Sequence, residues 1–81
     1  MQVTVKLFAM LREQAGTEGL ALEVPDGTTV SRAIDRLLAM HPALQQNVAR
    51  SAFAVNRHYA SRDTILHDGD ELAIIPPVSG G

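Results

Sequence analysis

"TVSRAIDRLLAMHP", residues 29–42, carries the clearest periodicity in the chain. Val30, Ala33, Ile34, Leu37 and Leu38 fall at i, i+3, i+4, i+7 and i+8, which is one apolar stripe along an amphipathic helix. Thr29 stands where an N-cap is needed. Arg32, Asp35 and Arg36 lie off the stripe. His41 precedes Pro42, and a residue before proline is pushed out of helical conformation, so the helix ends there. A lone helix with one apolar stripe must lay it on a partner surface, and a β-sheet is the natural one.

The flanking sequence supplies that sheet. In "MQVTVKLF", Val3, Val5 and Leu7 alternate with Thr4 and Lys6, the pattern of a half-buried strand. "AMLREQAG" loses the period of two and predicts a short helical turn with Gly16 in the C-cap role. "LALEV" places Leu20, Leu22 and Val24 on one face of a second strand, expected to pair antiparallel with the first. "PDG" at 25–27 is a turn. After the helix, "ALQQNVARS" has room for a further short helical segment. "FAVN" at 53–56 predicts a third strand, "RHYAS" a turn or short edge strand, "HDGD" at 67–70 a tight turn and "ELAII" at 71–75 the last strand. The expected architecture is α+β: a mixed sheet of four or five strands with one main helix across one face, the ubiquitin-like or β-grasp arrangement. Residues 1–75 form the expected domain and 76–81 a flexible tail.

Eighty-one residues make one domain. A chain of this size buries only about 60% of its unfolded surface, leaving little room for both a core and a deep catalytic pocket. Hydrophobic residues at 46% and charged residues at 20% belong to an ordinary globular protein. Seven Lys+Arg against nine Asp+Glu give a net charge of −2, and no basic stripe is present, so nucleic acid is not an expected partner. No apolar run approaches the length of a membrane span, and the alternating start does not read as a signal peptide. The absence of cysteine excludes disulfides, thiolate catalysis and Cys-type zinc sites. A cytoplasmic location is expected.

Enzymatic constellations are missing. His41 sits at a helix end, and His58 and His67 fall in predicted turns; none has the spaced partner that acid–base or metal chemistry requires. Asp68 and Asp70 flank Gly69, but the further ligands of a calcium loop are absent, so a strand-connecting turn is expected and no metal site. No serine has a nucleophile-elbow context, and no glycine-rich phosphate loop ends in lysine. Lys6 is the only lysine.

What remains is "PPVSGG", residues 76–81. Pro76 and Pro77 cannot donate ladder hydrogen bonds, so the sheet must stop there. They are expected to hold the chain extended and pointed outward. Six residues reach roughly 20 Å at about 3.3–3.6 Å each. A stiff base with a Gly80-Gly81 tip suits insertion into a narrow tunnel on another protein, because glycine lets a foreign backbone or nucleotide approach closely. A terminal carboxylate joined to AMP becomes an acyl donor that a sulfur nucleophile attacks, leaving a thiocarboxylate.

The chain resembles the small, sulfur-carrying subunits of molybdopterin synthase along essentially its whole length. "VKLFAMLREQAG", "AVN" and the block "LHDGDELAIIPPVSGG" carry the resemblance. It implies a β-grasp fold and no bound cofactor. Gly81 would be converted to an acyl-adenylate and then a thiocarboxylate, using ATP held by an ATP-dependent adenylating (activating) enzyme and sulfur from a donor, with Gly80 as its required neighbour. The tail would then enter the large subunit of molybdopterin synthase, in a heterotetramer of two small and two large subunits, and pass sulfur to a pyranopterin precursor. The catalytic pocket is expected on the large subunit, which makes this chain a sulfur-donating subunit rather than an enzyme by itself. Phe8, Ile75 and Val78 are the candidates for partner contact, and Pro76, Pro77 and Ser79 complete the docking segment. "HPALQQNVARSAF" departs most from the family pattern, is expected to be a variable loop and receives no role.

Three alternatives compete. The sulfur carrier of thiamine thiazole synthesis shares the fold and the glycine pair, but its members are usually shorter and lack this proline pair. A ubiquitin-like modifier would join Gly81 to a target lysine. A β-grasp binding module would have an inert tail and tolerate Gly81→Ala.

Overall fold

Thr29 takes an extended conformation (φ −84°, ψ 165°), and its side chain accepts a hydrogen bond from the Arg32 N–H at 3.3 Å. This N-cap starts the helix as the sequence predicts. In the computed structural model, which describes residues 1–77, the elements run β1 (Gln2–Leu7), α1 (Met10–Ala15), β2 (Gly19–Glu23), α2 (Val30–Met40), a 3-10 turn (Pro42–Leu44), α3 (Gln45–Ala49), β3 (Ala52–Val55), β4 (His58–Ala60) and β5 (Glu71–Ile75). His41 closes α2 with its backbone N–H on the Leu37 carbonyl at 2.8 Å. Gly16 ends α1 in the left-handed region at φ 74°, the C-cap conformation that glycine adopts without penalty.

The five strands form one mixed sheet in the order β2-β1-β5-β3-β4. β1 pairs antiparallel with β2, Val3 opposite Leu22 and Val5 opposite Leu20. β5 enters the middle, parallel to β1 and antiparallel to β3. Period-two alternation then sorts the side chains. Val3, Val5, Leu7, Leu22, Phe53, Leu72 and Ile74 are buried in one core with Val30, Ala33, Ile34 and Leu37 of α2. Leu38, the fifth residue of the helical stripe, is only partly buried. Each fully buried Leu or Ile contributes about 1.5–3 kcal/mol relative to exposure. Leu11 of α1, Leu44 of the 3-10 turn and Val48 of α3 close the sides of this core.

One feature goes beyond the sequence reading, and one choice left open is resolved. Residues 62–66 receive no element from the pattern, yet Leu66 is buried, its N–H donates to the Thr28 carbonyl at 2.8 Å, and Ile65 bridges Thr29. This segment closes the end of the core beside the start of α2. Of the two readings of "RHYAS", the short edge strand holds: His58 opens β4 opposite Val55. Among the described residues no helix is long and apolar enough to cross a membrane.

Candidate functional site

The face of the sheet opposite the helices is uncovered. Strand register builds a row across it: Gly19 of β2, Lys6 of β1, Ala73 of β5, Ala54 of β3 and Tyr59 of β4 are successive cross-strand neighbours. Two alanines therefore meet at the centre of the sheet, where neighbouring strands could have placed large side chains. Around them lies a hollow of about 570 Å³ lined by Phe8, Tyr59, Ile75 and Pro76, with Lys6, Glu71, Arg57 and Ala9 also in its wall. Phe8 is 44% exposed and Tyr59 is 81% exposed. Solvent-facing aromatics around an apolar depression are the usual composition of a protein-docking surface.

The hollow's rim is held by backbone devices. Phe8 follows the last residue of β1 and continues its alternation onto the open face. The chain then turns sharply at Ala9, whose φ is 50° and ψ −126°, a conformation that costs a residue with a Cβ about 1–3 kcal/mol. The β3–β4 hairpin turns on Asn56 and Arg57, with φ 51° and 71°, the sign that a two-residue type I′ turn requires at both positions.

Asn56 also anchors the turn before β5. Its Nδ2 donates to Asp70 Oδ1 at 2.9 Å, and its Oδ1 accepts from the Glu71 N–H at 3.0 Å. Asp70 Oδ2 accepts from the His67 N–H at 2.8 Å, and Asp68 Oδ1 accepts from the Gln2 N–H at 2.8 Å. Gly69 supplies the positive φ, 84°, between them. Hydrogen bonding from Asn56, then from the His67 backbone, holds the Asp70 carboxyl below the usual carboxylate range; a smaller opposing effect comes from burial, and the nearby His67 side chain adds to the lowering. "DGD" is thus a structural knot joining β1, the β3–β4 turn and β5. Among the described residues no group of three or more His, Cys, Asp or Glu could hold a metal.

The residues singled out from sequence fall as follows. Phe8, Ile75 and Pro76 converge on the hollow. Pro76 is buried rather than pointed outward, because the chain leaving β5 stays against the sheet for one more residue; Pro77 is the first exposed one. Val78, Ser79, Gly80 and Gly81 lie outside the described residues. Tyr59, Arg57 and the alanine pair were not picked out from sequence. Their signal was the period-two reading of "HYA", which has meaning only once β4 is paired with β3.

On the open face Lys6 Nζ lies 3.4 Å from Glu71 Oε2, one cross-strand step along the rim of the hollow. What results is an apolar, aromatic-walled depression at the root of the segment that leads to Gly80-Gly81. Such a surface has the composition of a docking face.

Comparisons with known proteins agree with this geometry. The sequence profile of the ThiS family matches residues 5–81. The molybdopterin synthase sulfur carrier subunit of Arabidopsis thaliana is 38% identical over 81 residues, covering 100% of this chain and 84% of that one. The crystal structure of SAMP1 from Haloferax volcanii superposes with a TM-score of 0.92 at 36% identity over 100% of both chains. A chain in the protein–protein complex of subunits 1 and 2 of the molybdopterin-converting factor from Helicobacter pylori matches with a TM-score of 0.73 at 26% identity, again over 100% of both.

Proposed function

The chain belongs to the ThiS family, and on that premise we propose that it is the sulfur-carrying small subunit of a molybdopterin synthase, with Gly81 as the carrier atom's site. The observation that carries this reading is a full-length likeness to proteins of that name, joined to an open sheet face that leads directly into Pro76-Pro77 and the glycine pair.

The chemistry needs three steps. An ATP-dependent activating enzyme docks on the open face; a Gly81 carboxylate oxygen attacks the α-phosphorus of ATP and pyrophosphate leaves, giving the acyl-adenylate. A sulfide-level donor attacks the acyl carbon and AMP leaves, giving the thiocarboxylate. The tail then enters the large subunit, where the thiocarboxylate sulfur attacks a carbon of the pyranopterin precursor and displaces an oxygen substituent, whose C–O bond breaks and which leaves with the electron pair and takes up a proton. Water cleaves the acyl–sulfur bond, so that sulfur stays on the product and the Gly81 carboxylate is regenerated. Each cycle delivers one sulfur, and a dithiolene needs two, which suits a heterotetramer with two small subunits. This chain supplies the docking face and the transferable atom, while ATP and the acid–base groups belong to its partners. The setting is cytoplasmic.

The test is mass spectrometry after incubation with the activating enzyme, ATP and a sulfide source, followed by an alkylating agent. An unlabelled mass change would be ambiguous with oxidation of Met1, Met10 or Met40. An alkyl label on Gly81 that depends on ATP is expected, because the chain has no cysteine to compete for it. No label, with an active enzyme control, overturns the reading.

The likeness to SAMP1, the small archaeal modifier protein 1 of Haloferax volcanii, favours one second reading, a protein modifier joined through Gly81 to lysines of other proteins. It predicts slower-migrating conjugates in cell extract that vanish when Gly81 is deleted; their absence removes it.

A further inference from the structure

The hairpin turn beside the hollow is built against its own backbone preference. A type I′ turn wants Asn followed by Gly, since both central residues need positive φ. Asn56 satisfies the first position at φ 51°; the second, at φ 71°, is Arg57. A long side chain in the left-handed region is strained where glycine is not. The turn therefore keeps Arg57 at a cost to its own stability, and the hairpin gains nothing visible in return. Arg57 makes no ion pair among the described residues, and its guanidinium donates none of the hydrogen bonds found there.

Arg57 lines the hollow together with Phe8, Tyr59, Ile75 and Pro76. The other cation there, Lys6, is already matched by Glu71 at 3.4 Å. The surface thus offers an apolar depression with one uncompensated positive charge on its rim. The net charge of the chain is −2, so this cation is not part of a general basic field.

We propose that Arg57 is a specificity-determining contact of the docking face, taking a carboxylate that the large synthase subunit presents beside the apolar side chain it inserts between Phe8 and Tyr59. The assignment rests on the docking role given above to the open face. A rim charge of this kind sets orientation and association rate more than bulk affinity.

The experiment measures association and dissociation of the large subunit with the wild type and with Arg57→Gly, Arg57→Lys and Arg57→Glu, in about 20 mM and about 500 mM salt, alongside thermal unfolding of each. At low salt Arg57→Gly is expected to weaken binding about 3-fold and Arg57→Glu about 10-fold, mainly through the association rate, while Arg57→Lys stays within about 2-fold of wild type. At high salt the differences shrink, because the Debye length falls to a few ångströms. Arg57→Gly is expected to unfold at the wild-type temperature or a few degrees above it, since the strain is relieved. Arg57→Glu binding with wild-type rate constants at low salt overturns the proposal, as does a loss of binding in Arg57→Gly that tracks a lowered unfolding temperature. If the wild type itself fails to bind the large subunit, the docking role falls and Arg57's assignment with it.

Discussion

On one side of the sheet Val3, Val5, Leu7, Leu72 and Ile74 lie under α2, with almost none of their surface exposed. On the other side lie the intervening residues of the same strands, Thr4, Lys6, Glu71, Ala73 and Ile75, with Ala54 and Tyr59; Ala54 and Ala73 are themselves buried at its floor. The covered face is filled by large branched side chains and makes the domain stable. The open face sets two alanines where bulk would fit, with Phe8 and Tyr59 beside them, and leaves a hollow that the proposed docking role assigns to a partner. Stability and recognition are thus written into alternate positions of the same strands, and a substitution in β1 or β5 belongs to one or the other according to its parity.

The sharpest separation comes from the C-terminal glycine. Gly81→Ala is expected to abolish ATP-dependent thiocarboxylate formation and sulfur delivery in a reconstituted synthase, with an unchanged unfolding temperature. Retained activity would make the tail inert and leave the open face without its purpose. The converse change is Leu37→Ala in α2, which removes a fully buried side chain from the covered face. It should lower stability by about 2–5 kcal/mol in denaturant titration, while partner affinity of the folded fraction stays near wild type. A large affinity loss without unfolding would show that the two faces are coupled.

Tyr59→Ala probes the open face alone. Partner binding should weaken about tenfold or more, as for a truncated interface aromatic, and stability should fall by less than about 1 kcal/mol because the ring is 81% exposed on an edge strand. The smallest effect concerns the Asp70 knot. Its carboxyl is held below the ordinary range, so the stabilisation it contributes is fully present above about pH 4 and fades as pH falls through the folded-state value. Asp70→Ala should cost about 1–2 kcal/mol at pH 7, and the gap from wild type should narrow below about pH 4. A constant gap down to pH 2.5 would place the contribution elsewhere than in the ionised carboxylate.

The covered face was the more legible of the two. The α2 stripe, its Thr29 cap, its His41-Pro42 stop and the alternation of β1 are local patterns, and local patterns survive folding when the core agrees with them. The open face depends on register between strands far apart in sequence. That Ala54 meets Ala73, or that Tyr59 comes to stand over them, follows from β5 pairing with β3 and β3 with β4, and no short-range signal encodes it. Ala9 and Arg57 were opaque for another reason: neither residue type advertises positive φ, so backbone geometry that glycine would have announced went unmarked. Leu66 sat in a segment without period, and its burial is set by the bridge between Ile65 and Thr29 rather than by any element of its own. Phe8, Ile75 and Pro76 were found because they adjoin segments that could be placed from sequence.

The central position of β5 has a consequence for how the molecule is made. Until residues 71–75 emerge, the chain holds two separate hairpins, β1 with β2 and β3 with β4, each with an unpaired inner edge. Neither hairpin is a stable sheet by itself. A nascent chain on the ribosome therefore cannot complete its fold from the N-terminus forward, and prematurely terminated products expose two sticky edges instead of a truncated but sound domain. Quality control is built into the order of synthesis: the strand that joins the two halves precedes Gly81 in the chain, so a chain cut before its sheet is finished also lacks the working end.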